Sequence, residues 1–220
     1  GQQVTVEGWV RQGRSGLLGV VDSVMHPEVP SFARFDYPSA LRPEVAARAW
    51  DIARTTALEV GLDHTLFNVE LIYEPNEDRL HVIEVNPRLC GQFGDLYAKV
   101  DGVSGYVAAL ELAAGHEPVR ATGGGPWRQA SSVPLRTFRP VRVDRAPTDA
   151  DVRAAEALGP DALVWTECAE GQELADFAWE DGRSVRYAVL NVGGDDRWDL
   201  RVRIDAVRER LGYRMTPLEG

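Results

Sequence analysis

The sequence predicts an α+β chain: paired antiparallel strands with flanking helices, in two parts covering residues 1–120 and 121–220. Three observations predict it. Strand-like alternation comes in adjacent pairs joined by short polar turns. Apolar residues recur at helical spacing in several longer segments. The run Ala121-Thr122-Gly123-Gly124-Gly125-Pro126 changes the composition and marks a subdomain boundary.

Val4 to Val10 alternates and predicts a strand, Arg11 to Gly16 a turn, and Leu17 to Val24 the return strand. Met25 to Ser39 carries three prolines and predicts a long loop. Pro43 then opens a helix running to about Val60. Its stripe is Val45, Ala49, Ile52 and Thr56, with Trp50, Ala53 and Ala57 beside it, and Gly61 stops it. Phe67 to Tyr73 and His81 to Arg88 predict two antiparallel strands around the turn Pro75-Asn76-Glu77-Asp78. After a glycine-marked loop, Leu89 to Gly94, helical material runs from about Asp95 to Ala114 and stops at Gly115.

In the second part, Gln129 to Phe138, Ala162 to Thr166 and Ser184 to Val192 predict strands. Thr148 to Leu158 predicts a helix capped by Thr148, and Asp196 to Leu211 a closing amphipathic helix with arginines on its wet face.

At 220 residues, 44% hydrophobic and 26% charged, each part can bury a core of its own. A net charge of -10 repels phosphate backbones, so nucleic-acid binding is not expected. Lys99 is the only lysine. Cys90 and Cys168 offer neither zinc spacing nor a disulfide framework, which suits a reducing, cytoplasmic setting. No apolar run is long enough for a membrane span, and Glu111 interrupts the best of them. The chain opens at Gly1 without an initiator methionine, so it reads as a processed form or as a cut through a longer protein.

The informative stretch is the strand pair. Residues two apart on a strand share a face, so Glu84, Asn86 and Arg88 are neighbours, and Asn68, Glu70 and Ile72 share a face on the partner strand. The other face, with Val69, Leu71, Val82 and Val85, can reach a core only if a bend near Ile83 shifts the register. Oxygen ligands and a fixed cation on one rigid hairpin suit a magnesium–phosphate site. Arg88, a planar fork that stays charged, suits an acyl phosphate or a tetrahedral anion, and Pro87 stiffens the exit that aims it. Either strand taken alone reads as the wet face of an ordinary hairpin.

Phe67-Asn68-Val69-Glu70 with Ile83-Glu84-Val85-Asn86-Pro87-Arg88 resembles the ATP-grasp superfamily, in particular biotin-carboxylase-like and carbamoyl-phosphate-synthetase-like carboxylate–amine ligases. The loop Cys90 to Tyr97 and the segment Lys99-Val100-Asp101-Gly102 are similar to one branch of that group. The resemblance covers the first half well and the second half only loosely. It implies an ATP-grasp C-terminal subdomain followed by a smaller α+β extension. It implies ATP with Mg2+, or Mn2+ in its place, and small-molecule carboxylate and amine substrates.

By the same resemblance Glu84 bridges two metal ions, Glu70 holds one and Asn86 the other. Arg88 stabilises the acyl phosphate, and Ile72 lies against adenine. Glu7 lies on a strand that faces the nucleotide in relatives, with an exposed strand glutamate as the alternative. The family's glycine-rich lid, phosphate-binding lysine, hinge and N-terminal substrate domain have no match in this chain. The expectation is therefore a C-terminal part of a ligase, incomplete and inactive without the rest of the enzyme, with a homodimer as one assembly. The alternative is a non-catalytic nucleotide-binding or assembly module on the same scaffold.

Among the remaining residues, His26, His64 and His81 read as solvated, Cys90 as a packed inert thiol, and Gly123-Gly124-Gly125 as a flexible linker. Trp165, Trp179 and Trp198 read as core or interface anchors, and Arg136 and Arg139 as surface residues.

Overall fold

In the computed structural model, residues 1–119, 122–159, 161–179 and 181–218 are described. The chain forms two compact units: Gly1–Ser23 with Phe35–Ala130, and Val24–Arg34 with Ser131–Gly220. The boundary expected at 120/121 falls on residues outside those described.

From its start to residue 113 the chain runs β1 (Gln2–Arg11), β2 (Arg14–Met25), β3 (Phe32–Tyr37), α1 (Pro43–Glu59), β4 (Thr65–Glu74), β5 (Arg79–Asn86), α2 (Gly94–Asp101) and α3 (Gly105–Ala113). Strands pair antiparallel in the order β5-β4-β1-β2. Period-two alternation sorts the two faces. Val4, Val6 and Val10 of β1 and Phe67, Val69 and Leu71 of β4 are all 0% exposed and face α1. The helix meets them with Val45, Ala49, Ala53 and Ala57, a strict i, i+4 row. This stripe lies beside the one expected through Ile52 and Thr56. Three alanines in the row let the helix backbone approach the valines closely, and each valine so buried contributes about 1.5–3 kcal/mol.

The opposite face carries Gln3, Thr5, Glu7, Asn68, Glu70 and Ile72, which include residues of the candidate site. Helices α2 and α3 belong to this side. Trp9, Leu66 and the α3 residue Leu112 form a small second core there.

Several expectations changed. The loop 25–39 contains β3, because Phe32 to Tyr37 restores an apolar alternation between Pro30 and Pro38. The helical material expected over 95–114 forms two helices. Gly102 takes a left-handed conformation (φ 82°) that ends α2, and the Ser104 side chain accepts the Tyr106 amide to start α3. Gly124 and Gly125 of the triglycine run lie against the backbone of α2 and do not form a loose linker, while Gly123 stands open. A Cβ on Gly125 would lie 2.3 Å from the Lys99 carbonyl, and the Gly125 amide donates to Val100 O at 3.0 Å. Glycine is required there because one backbone lies directly on another.

The second unit contains β6 (Gln129–Thr137), β7 (Val141–Arg145), α4 (Asp149–Glu156), β8 (Leu163–Thr166), β9 (Glu173–Leu174), a short 3-10 turn (Phe177–Trp179), β10 (Val185–Gly194), α5 (Arg197–Leu211) and β11 (Arg214–Pro217). β6, β10 and β8 are neighbours in one sheet, and β11-β7-β9 form a separate three-stranded sheet. The short strands β7, β9 and β11 were not expected. At 2–5 residues each, they are too short for alternation to declare itself. Thr148 caps α4 as expected, with Asp151 returning the bond in a capping box. Trp165 and Trp198 are exposed, at 38% and 74%, so neither is a core anchor. The Trp179 side chain lies outside the described set.

The whole is α+β, with mostly antiparallel sheet and five α-helices among the described residues. No helix among them is long and apolar enough to cross a membrane.

Candidate functional site

The pairing register gathers the expected residues into rows across three strands. Thr5, Glu70 and Glu84 stand side by side, and so do Glu7, Asn68 and Asn86. Directly opposed residues point to the same face, with Cβ atoms about 5 Å apart. Beyond Glu70 the register shifts by one, from Glu70↔Glu84 to Leu71↔Val82, which leaves Ile83 as an extra residue. This is the bend the sequence required, a β-bulge that keeps Glu84 and Asn86 beside Glu70 and Asn68. It does not carry Val82 and Ile83 inside: they remain 44% and 49% exposed on this edge strand, while Leu80 and Val85 pack against the core. Ile72 follows Glu70 on the site face, opposite Gln3 and His81, and is half-buried.

Glu70 is half-buried and Glu84 exposed. Burial raises the Glu70 pKa, and the facing Glu84 charge adds to it. A hydrogen bond from Gln3 Nε2 to Glu70 Oε2, 2.9 Å, and the charge of Arg88 oppose the rise. Two carboxylates held side by side at an energetic cost are the donor set that a hard cation relieves. Asn86 Oδ1 adds a neutral oxygen from the next row. Among the described residues no cluster of three or more His, Cys, Asp or Glu side chains has metal-binding geometry. The set here is two carboxylates and an amide, which fits an ion that takes its remaining oxygens from phosphate.

Arg88 lies just beyond β5, where its amide donates to Asn86 O at 2.9 Å. Its guanidinium is exposed, and among the described residues it makes only long contacts, to Asn86 Oδ1 (3.5 Å) and Leu89 O (3.4 Å). The backbone beneath it is held firmly: Asn68 Nδ2 donates to Arg88 O at 3.1 Å. Asn68 is thus a support for Arg88 from the neighbouring strand.

Glu7 sits deeper. It is 0% exposed, and its two oxygens accept from the Cys90 amide (2.5 Å) and the Tyr97 hydroxyl (2.8 Å). Here it faces the loop after Arg88, so the exposed-glutamate alternative is excluded. Burial lifts its pKa to about 7 despite both hydrogen bonds and the nearby Arg88. A second bulge adjoins it, where the β1–β2 register shifts between Glu7 and Gly8. The Cys90 thiol is pushed up to about 12 by burial and by Glu7, so it stays protonated and inert, as expected.

Gln3, Tyr97 and the Cys90 amide were missed in the sequence. Counting back by twos from Glu7 would have found Gln3. Nothing local announces Tyr97, which meets Glu7 across 90 residues.

No protein-family model and no curated protein sequence matches the chain. Its fold is similar to that of biotin carboxylase and of the ATPase subunit of phosphoribosylaminoimidazole carboxylase. Biotin carboxylase from Campylobacter jejuni, solved as a βγ-ATP complex, superposes with a TM-score of 0.71 at 15% identity, covering 97% of this chain and 46% of that one. The biotin carboxylase domain of Hydrogenobacter thermophilus 2-oxoglutarate carboxylase, solved with MgADP, ADP and bicarbonate, gives 0.67 at 17% identity, over 99% of this chain and 46% of that one. The ATPase subunit of phosphoribosylaminoimidazole carboxylase from Aquifex aeolicus gives 0.63 at 12% identity, over 96% and 56%. The chain therefore spans about half the length of these structures.

Proposed function

We propose that this chain is the metal- and phosphate-binding part of an ATP-dependent ligase that joins a carboxylate to an amine or thiol through an acyl phosphate. The observation that carries the reading is the Glu70–Glu84 pair with Asn86 in the adjoining row and Arg88 at the strand exit. The fold and the half-length coverage support it. In this reading the rest of the enzyme supplies the remainder of the nucleotide site and the substrate domain.

Glu84 would bridge two Mg2+ ions, with Glu70 on one and Asn86 on the other; Mn2+ would substitute. The bound ions would neutralise charge on the phosphoryl oxygens. Arg88 presents its fork to the acyl phosphate and to the tetrahedral anion that follows. Asn68 holds the Arg88 carbonyl and Glu7 the Cys90 amide two residues on, and together they fix where the fork points. Ile72 offers an apolar surface to adenine on the same face. In place of the direct nucleotide contact expected of Glu7, we assign it this positioning role.

The test is ADP release by the full-length protein, given Mg-ATP and a panel of carboxylates with amines or thiols. Turnover that requires both partners and disappears in Glu84→Ala supports the reading. Full activity in Glu84→Ala overturns it.

A second reading has one observation in its favour. Lys99, the only lysine in the chain, is 1% exposed on its side chain and paired with Asp95 at 2.9 Å, so a phosphate-binding lysine must come from elsewhere. A non-catalytic nucleotide-binding or assembly module would need none. Nucleotide binding by the full-length protein with no turnover on any substrate pair would select it.

A further inference from the structure

The two carboxylates of the candidate metal pair are not equally free. Glu84 is exposed, and among the described residues neither of its oxygens accepts a hydrogen bond. Glu70 is half-buried and accepts one at Oε2, from Gln3 Nε2 at 2.9 Å, while among the described residues its Oε1 accepts none. Thr5, which stands beside Glu70, is turned to Ser23 instead: the two hydroxyls share a hydrogen bond at 3.2 Å. Gln3 lies on β1 opposite Ile72, one row beyond Thr5 and Glu70 on the same face.

The bond fixes an orientation at both ends. An ionised carboxylate only accepts, so the amide nitrogen of Gln3, and not its oxygen, faces Glu70. With Oε2 held from β1, Glu70 has Oε1 to offer an ion. Chelation through both oxygens would turn the carboxylate and break the bond to Gln3. Glu84 carries no such restraint and is free to span two ions. Cations differ in how they take to this arrangement. Magnesium, and manganese in its place, fill a tight octahedral shell with single oxygens. Calcium is larger, accepts more oxygens in a looser shell, and readily takes both from one carboxylate.

We propose that Gln3 is a positioning residue that confines Glu70 to one-oxygen coordination and thereby selects Mg2+ or Mn2+ over Ca2+. The inference rests on the metal-site reading of Glu70 and Glu84. It adds to that site a residue that binds no ion itself and that reaches Glu70 from 67 positions away in the sequence. Residues behind the ligands act in this way because they decide which ligand geometry is available without rearrangement.

Mn2+ binding to the full-length protein with ADP, read by electron paramagnetic resonance, and its displacement by Ca2+ test the inference. The parent is expected to hold Mn2+ in preference to Ca2+. In Gln3→Leu that preference should fall by about tenfold, as Mn2+ weakens and Ca2+ gains a two-oxygen ligand. Gln3→Ser, too short to reach Glu70, should give the same shift, and thermal unfolding shows that the variant read is folded. A merely structural role for Gln3 would weaken both ions alike. Unchanged preference in a folded variant, or equal loss of both ions, overturns the inference and leaves the ligase reading standing. A parent that holds no Mn2+, or Mn2+ binding undiminished in Glu84→Gln, overturns the ligase reading and this inference with it.

Discussion

Glu70 and Glu84 face each other directly across the β4–β5 pair. Burial raises the Glu70 pKa first and the Glu84 charge raises it further, so the pair is held together against its own repulsion. Such an arrangement is stable only because the apolar face of the same strands is locked under α1. A cation between the two would turn the repulsion into binding energy.

Glu84→Gln should therefore act in opposite directions with and without metal. In metal-free protein it removes a like-charge cross-strand pair and should stabilise by about 0.2–1 kcal/mol. In the presence of Mn2+ it should lose bound ion, read by electron paramagnetic resonance. Unchanged Mn2+ binding in this variant would remove Glu84 from the metal site.

Glu7 predicts a pH dependence whose sign follows from its burial. Its pKa rises from an ordinary 4.5 to about 7, so between those values the folded protein holds a proton that the unfolded chain has released. Stability from this group is complete below the lower value and is lost as pH climbs to the upper one. The interval corresponds to roughly 3 kcal/mol. Glu7→Gln should flatten that part of the curve and make the protein more stable than the parent at about pH 8, with little difference near pH 4.5. Denaturant unfolding at several pH values measures it, and parallel curves for the two proteins would contradict it.

Gly19 pairs with Glu7 across β1 and β2, and a Cβ there would lie 2.5 Å from Tyr97 Cε1 and 2.7 Å from Tyr37 Cε2. Both rings are buried and packed edge-on at 5.0 Å, so neither can retreat freely. Gly19→Ala should cost about 1–3 kcal/mol, and it should weaken the Tyr97 bond to Glu7. Unfolding midpoints together with the Glu7 pH profile separate the two effects.

Thr148→Ala removes one half of the capping box on α4, where the Thr148 side chain accepts the Asp151 amide at 3.2 Å. A loss of about 1 kcal/mol is expected, measured by denaturant unfolding.

The strand pair was legible because its two faces differ so sharply. Val69 and Leu71 must go inside, which puts Asn68, Glu70 and Ile72 together on the other face. The mismatch between Glu84 and the apolar set made burial of that set conditional on a bend near Ile83, and the bulge lies there. The division of residues 95–114 into two helices was also written locally, in Gly102 and Ser104. The shortest strands, β7, β9 and β11, had too few residues to show a period.

The sequence by itself determined which residues share a strand face, where the capped helices begin, and that two carboxylates, an amide and an arginine lie within one hairpin. Those facts are local, fixed by a period of two or by a cap. Only the tertiary structure decided what the face meets. It buried the Glu7 carboxyl against Tyr97 and the Cys90 amide, and it laid Gly124 and Gly125 directly on the backbone at the end of α2. Each depends on residues far apart in the chain, and on burial that raises or relieves a charge. No local pattern carries that information.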